Sequence, residues 1–264
     1  MKVGDITAAL EAFAPLRIQE SWDNSGLIIG SPEEEIHGVM VGFDCTTELI
    51  REAVDKGCDM VVTHHPLIFK GIRRIDSKDP VGAAIMLAVR NGVSVYAAHT
   101  TADKVITGVS GAMARRLQLQ HVQILVPEDD GTVGLGVIGD FPGPMTGREA
   151  LRYVQERFGL KVIKSSKPLE SPIVKVALLG GSGGAEAPLA QAKGAQLYIT
   201  ADISYHSFFT PEGFMVMDIG HFESEVEIVD IFFSVLKKKF PTFAVRLSGC
   251  LDRSNPVHYF GMSE

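Results

Sequence analysis

Gly57-Cys58-Asp59-Met60-Val61-Val62-Thr63-His64-His65-Pro66 decides the reading of this 264-residue chain. Met60 to Thr63 is apolar or β-branched and closes at a proline two residues on, the pattern of a short buried strand. The strand runs straight into two adjacent histidines. A neutral imidazole is the commonest side chain for holding a metal. Successive strand residues face opposite ways, but a pair at a fraying strand end can turn both rings toward one cleft. In open α/β sheets ligands bind in that crevice, outside the carboxyl ends of the strands.

Working outward, the spacing predicts a strand over Val39–Phe43, a helix over 46–56 closing at Gly57, a helix over 80–91 and a strand over Val93–Ala98. A first helix is expected over 5–14, with Asp5 as N-cap and Pro15 as stop. This β-α-β-α-β rhythm implies an α/β fold with mostly parallel sheets. The second half echoes the first. Gly194-Ala195-Gln196-Leu197-Tyr198-Ile199-Thr200-Ala201-Asp202 repeats the Gly57–His65 stretch without a gap, at an offset of 137 positions. Gly213–Met217 echoes Gly92–Tyr96 in the same way, and Val176–Leu179 reads as a further strand. The expectation is two similar α/β lobes from an internal duplication, residues 1–126 and 127–264, with a metal site in the cleft between them and the C-terminal segment able to pack back on the first lobe. The join falls in the polar turn Pro127-Glu128-Asp129-Asp130-Gly131. Beyond it come a strand over Gly134–Ile138, a helix over 147–158 and a helix from about 223 that ends in Lys237-Lys238-Lys239, cations suited to the negative end of its dipole.

The bulk numbers narrow the classes. Apolar residues make up 45% and charged residues 22%, as in an ordinary globular protein. The formal charge of −7 weighs against a nucleic-acid binder. Cys45, Cys58 and Cys250 form no paired spacing and read as reduced thiols, the first two as small buried residues. Neither a signal peptide nor an apolar run long enough to span a membrane is expected, which points to a cytoplasmic protein.

Each half carries a His-x-x-x-carboxylate run after its last core strand: His99-Thr100-Thr101-Ala102-Asp103 and His221-Phe222-Glu223-Ser224-Glu225. On a helix, positions i and i+4 share a face and can converge on one ion. With His64 and His65 the inventory is four histidines and two carboxylates at three strand ends. That exceeds one catalytic zinc site and suits two ions about 3.5–4 Å apart sharing a carboxylate. Mixed imidazole and carboxylate ligation fits zinc, iron or manganese. His99 can instead orient a ligand or substrate. His206 sits either in the pocket or on the surface, and His37, His121 and His258 read as structural. Gly180-Gly181-Ser182-Gly183-Gly184 either cradles a phosphate or makes a tight strand-to-helix turn. Trp22, with Asp23 and Asn24, either lines the cleft as a substrate contact or anchors the first helix.

These residues resemble a known family, the GTP cyclohydrolase 1 type 2 homologues, also called NGG-one-interacting-factor-three-like proteins. The resemblance spans essentially the whole chain. It rests on Trp22–Leu27, Thr63–Phe69, His99–Asp103, Gly180–Gly183, Thr200–His206 and Gly220–Glu225. Thr101 and Ala201 depart from the family's usual Asn and Gly. The resemblance implies two divalent ions per subunit held by His64, His65, Asp103, His221 and Glu225, with Glu225 bridging and His99 outside the ligand set. It also implies a toroidal homohexamer, and the short Asp129-Asp130-Gly131 turn leaves no room for the extra domain some relatives insert. The function expected is a metal-dependent hydrolase acting on a nucleotide or related phosphorylated small molecule through metal-bound water, with His99 or His206 moving protons. The alternative is a non-catalytic metal-binding hexameric module, a metal chaperone or a partner of nucleic acid or transcription proteins.

Overall fold

A computed structural model gives the fold and describes residues 1–128 and 131–260. The chain begins with α1 (Val3–Phe13), β1 (Gly26–Ile29), β2 (Gly38–Val41), α2 (Thr47–Asp55) and β3 (Met60–Thr63). Next come α3 (Pro80–Arg90), β4 (Ser94–Ala97), α4 (Thr100–Lys104) and α5 (Val109–Arg116). There follow β5 (Gln120–Glu128), β6 (Val133–Met145), α6 (Gly147–Phe158), β7 (Lys164–Ser165) and β8 (Ile173–Leu178). The chain continues through α7 (Ala187–Ala192), β9 (Leu197–Thr200), β10 (Met215–Asp218), α8 (His221–Glu225), α9 (Ile228–Lys239) and β11 (Ala244–Leu247). No helix of the described residues is long and apolar enough to cross a membrane.

The elements form two compact units. Among the described residues, one comprises Met1–Ala102 and Ile228–Pro256, the other Asp103–Glu227 and Val257 to Phe260. This division differs from a join at 126/127, and the reason is strand pairing. Val126 and Pro127 lie inside β5, which pairs with β6 from Gln120↔Asp140 to Glu128↔Val133. A boundary there would cut a continuous hairpin. Of the expected turn, Asp129 and Asp130 lie outside the described residues.

The first unit holds a five-stranded sheet in the order β1-β4-β3-β2-β11, parallel throughout except where β1 pairs with β4. Every residue of β2, β3 and β4 is buried, the signature of parallel strands covered on both faces. Met40, Ile50, Val61, Ala88 and Val95 form the centre of its core. Helix starts follow the side-chain chemistry. Thr46 Oγ1 accepts from Leu49 N at the start of α2, and Asp79 Oδ2 accepts from Gly82 N ahead of Pro80 in α3. The first helix starts earlier than expected, at Val3, because Asp5 acts from inside the helix and accepts from Lys2 N at 2.8 Å. Cys45 and Cys58 are buried, and burial beside Asp44 pushes the Cys45 thiol up to about 12.

The second unit holds a six-stranded sheet in the order β5-β6-β8-β9-β10-β7. Only the β8-β9-β10 run is parallel, so this sheet is mixed rather than mostly parallel. The short β5–β6 connection permits only antiparallel pairing. Strand β6 also outruns its expected end at Ile138, tolerating Pro142 and Pro144 where its register with β8 breaks between Asp140 and Met145. The helix over 147–158 forms as expected, capped by Thr146 and Glu149. The helix expected from about 223 opens at His221 and is interrupted after Glu225.

Glu52 of α2 ties down the far end of β11, accepting from Ser248 Oγ at 2.6 Å and Gly249 N at 2.7 Å while pairing with Lys56. Burial alone would raise its pKa. The hydrogen bonds from Lys56, Ser248 and Gly249 outweigh that and bring it down to about 2. A folded pKa below the ordinary 4.5 means the contribution is present above that value and is lost as pH falls toward 2. Glu52→Gln is expected to cost about 1–2 kcal/mol in urea unfolding at neutral pH. The loss should shrink below pH 4.5; an equal loss at pH 7 and pH 3 would contradict the assignment.

Candidate metal centre

In the first unit the chain bends where β3 ends. The carbonyl of Phe43 accepts from both His64 N and His65 N, at 3.1 and 3.3 Å, and Thr63 Oγ1 donates to the His65 carbonyl. Consecutive residues that a strand would point apart are thereby brought together, with ring centroids 4.9 Å apart. His99, just past β4, completes a triangle at 5.4 Å from each. Phe43 packs against both rings of the pair, stacked on His64 and edge-on to His65.

Each ring is fixed through Nδ1. The fully buried His64 donates Nδ1–H to the Ala98 carbonyl at 2.9 Å, and a carbonyl can only accept, so Nε2 carries the lone pair. His65 Nδ1 meets Asp44 Oδ1 at 2.7 Å, and His99 Nδ1 meets Asp23 Oδ1 at 2.7 Å. Burial would raise the pKa of Asp23. Hydrogen bonds from His99, Thr100 and Ser25 overcome it and hold the carboxyl well below the usual carboxylate range. Asp23 is therefore an anion at working pH. Trp22, 59% exposed, and Phe69, 46% exposed, stand edge-on to each other and to His99, forming an aromatic rim. Asn24 donates its amide to the Ile68 carbonyl at 2.6 Å and so holds the chain leading to Phe69.

In the second unit His221 opens α8 beside Asp202 and Glu225. Its Nδ1 lies 2.7 Å from Asp202 Oδ2 and its Nε2 3.0 Å from Glu225 Oε2. An imidazole with acceptors at both nitrogens is satisfied by a second proton or by a cation shared with the carboxylate. Glu225 is 4% exposed. Room for it comes from Gly181, at φ +65°, where a Cβ would fall 2.1 Å from Glu225 Oε1. Gly183 makes similar room for Thr200, whose Oγ1 accepts from Gly183 N. The glycine run is thus a tight turn shaped around its neighbours. Asp202 itself adopts the left-handed region at φ +52°, uncommon for a residue with a side chain.

The two His-x-x-x-carboxylate runs are not structurally equivalent. His221 and Glu225 are the first and last residues of α8, whereas α4 spans Thr100–Lys104 and leaves His99 just outside it. The shared-face argument therefore covers His221 and Glu225 alone. Asp103 lies half-buried on α4. His206 is exposed on a 3-10 turn over Tyr205–Phe208, its ring against Tyr205 and Phe209. His37 and His121 also face carboxylates through Nδ1, but their side chains are 85% and 78% exposed, unlike the clustered rings. Asp44 and Asp202 were not singled out as site residues from sequence, although both sit just past a strand end.

Residues 1–256 match the family model described as Duf34/NIF3 (NGG1p interacting factor 3). A GTP cyclohydrolase 1 type 2 homolog of Clostridium perfringens is 33% identical over 228 residues, covering 85% of this chain and 87% of that protein. The fold matches the crystal structure of a Staphylococcus aureus hypothetical protein with a TM-score of 0.90 at 24% identity, covering 98% of this chain and 99% of that one. A Bacillus cereus protein related to NIF3 also gives 0.90, at 21% identity with 98% and 99% coverage.

Because a methyl group at Gly181 would strike Glu225, Gly181→Ala is expected to displace that carboxylate and reduce the transition metal retained on purification by about tenfold or more. Gly184→Ala is the matched control, since the nearest atom to its Cβ is 4.0 Å away. Equal metal content in the two variants would contradict the role given to Gly181.

Proposed function

The chain belongs to the Duf34/NIF3 family, and from that premise we propose that it is a dinuclear-metal hydrolase of a nucleotide or a related phosphorylated small molecule. His64, His65 and Glu225 are the core of the proposed ligand set, with Asp103 and His221 completing it and two divalent ions per subunit. The observation that carries the reading is the common fixing of His64, His65 and His221 through Nδ1. Hydrogen bonding at one ring nitrogen, with the other presented as donor atom, is the arrangement of metal-binding histidines. The donor set of imidazoles and carboxylates suits zinc, iron or manganese. The pairing of His221 with a buried Glu225 supports it, since that pair calls for a second proton or a cation.

Divalent ions in such a centre make water acidic near neutral pH and stabilise developing oxyanion charge. The chain's own residues supply the rest. Asp23 keeps His99 oriented through Nδ1, so Nε2 of His99 is the atom that accepts and returns a proton during turnover. Trp22 and Phe69 hold a flat group at the edge of that ring. Assembly as a homohexamer belongs to the same reading, and light scattering on the purified protein reports it.

Elemental analysis is expected to find transition metal in the purified chain. The metal-loaded protein should hydrolyse at least one of GTP, other nucleotides or phosphodiesters, with His65→Ala and Glu225→Ala slower by about 100-fold or more. Unchanged activity in those variants would overturn the hydrolase reading. Retained metal without turnover of any of these substrates would favour a non-catalytic metal-binding module.

A further inference from the structure

Between Phe69 and α3 the first unit carries a conspicuously basic segment, Lys70-Gly71-Ile72-Arg73-Arg74-Ile75-Asp76-Ser77-Lys78, in a chain of net charge −7. All of it is exposed. Among the described residues, Lys70, Arg73 and Arg74 have no carboxylate partner. Ile72 and Ile75 are exposed beside them.

Both stems of this segment are anchored beside the histidine cluster. On one side Asn24 holds the Ile68 carbonyl, and the Phe69 ring lies 5.8 Å from His99 and 5.9 Å from Trp22. On the other, Lys78 N donates to Asp76 Oδ1 and Asp79 N to the Asp76 carbonyl. The first turn of α3 packs so closely there that a Cβ on Gly82 would fall 2.3 Å from the Asp76 carbonyl oxygen. Pro80 and Val81, where the segment ends, line a cavity of about 260 Å³ together with His65, Asp44 and Leu67. Residues 70–75 thus form an arch between two fixed stems, with open space around Gly71.

We infer that this arch is the phosphate-binding element for a planar, phosphorylated substrate of the neighbouring histidine site, an assignment that rests on the hydrolase reading for its placement. Arg73 and Arg74 offer planar forks that match phosphate oxygens in pairs, and Lys70 adds a point charge next to the rim. Trp22 and Phe69 take the flat ring, so its phosphates extend over the arch. The occupant is of mononucleotide size, because three cations suit one polyphosphate while the acidic balance of the chain repels a long polyanion.

Trp22 is the only tryptophan of the chain, so its fluorescence reports directly from the rim. Titrating metal-loaded full-length protein with guanosine, GMP and GTP, by fluorescence and calorimetry, should show affinity rising by about tenfold or more from nucleoside to triphosphate. The K70A/R73A/R74A triple variant should lose that gain while keeping its metal content and its affinity for guanosine. Lys238→Ala with Lys239→Ala removes charge elsewhere in the same unit and should leave GTP affinity within about twofold. Unaltered GTP affinity in the triple variant, or equal affinity of the wild type for guanosine and GTP, would overturn the assignment. So would tighter binding of a single-stranded oligonucleotide than of GTP. Binding of GTP through the arch without turnover of GTP, other nucleotides or phosphodiesters would defeat the hydrolase reading and keep the arch; hydrolysis with an unchanged KM in the triple variant would do the reverse.

Discussion

An imidazole held by Nδ1 has its other nitrogen aimed before any ligand arrives, and the candidate histidines of each unit depend on this constraint. The anchors differ in kind. His64 leans on a backbone carbonyl, which fixes the tautomer without adding negative charge. His65, His99 and His221 lean on Asp44, Asp23 and Asp202, which fix the orientation of each ring. Ala98, Asp44 and Asp202 each follow the end of a parallel strand, β4, β2 and β9. Within each sheet, strands in parallel register end at a common level, so short side chains just past those ends can reach across to a neighbouring turn. The fully buried strands supply rigidity, and the polar turns supply the donors and acceptors.

That arrangement is bought with local compromises in the backbone. Burying Glu225 requires a glycine beside it, and Gly181 meets the requirement both in its positive φ and in its missing side chain. Gly181 N is secured by Ser224 Oγ, which in turn donates to the His221 carbonyl, so the turn and the helix that carry the acid are tied together. Asp202 holds a left-handed conformation while it reaches His221. Departures of this kind persist where surrounding structure enforces them, and they concentrate at functional sites. Elsewhere in the same unit the rules of burial hold, with β9 and β10 fully buried in the parallel run that starts at β8.

Much of the core was legible because local pattern and tertiary role agreed. Strand β3 and helix α6 begin and end where apolar run, cap and proline place them. Strands β1, β7 and β11 carried no such signal. β7 is two residues long, and β11 is a strand only because it lies beside β2, some two hundred positions earlier in the chain. The mixed second sheet was hidden for a related reason, since strand direction is decided by which neighbours meet and not by composition. In the site, the histidine pair and Glu225 could be read from residue type and spacing. Asp44 and Asp202 could not, because their importance comes from touching His65 and His221 across 21 and 19 positions of sequence.

The spacing that misled is as informative as the spacing that held. Two runs of the form His-x-x-x-carboxylate invite one explanation, convergence on a helix face. His221 and Glu225 satisfy it, with 3.0 Å between their side chains within one helical turn. His99 stands one residue before its helix begins, so its ring is directed by Asp23 rather than by helical periodicity. Freed from a helix face, it meets Trp22 and Phe69 edge-on, with an anionic carboxylate behind it. The ring of His99 is thus positioned by an aromatic rim and a carboxylate, whereas that of His221 is positioned beside a helix-face acid. A one-residue difference in the strand-to-helix turn therefore gives two histidines with the same His-x-x-x-carboxylate spacing different surroundings.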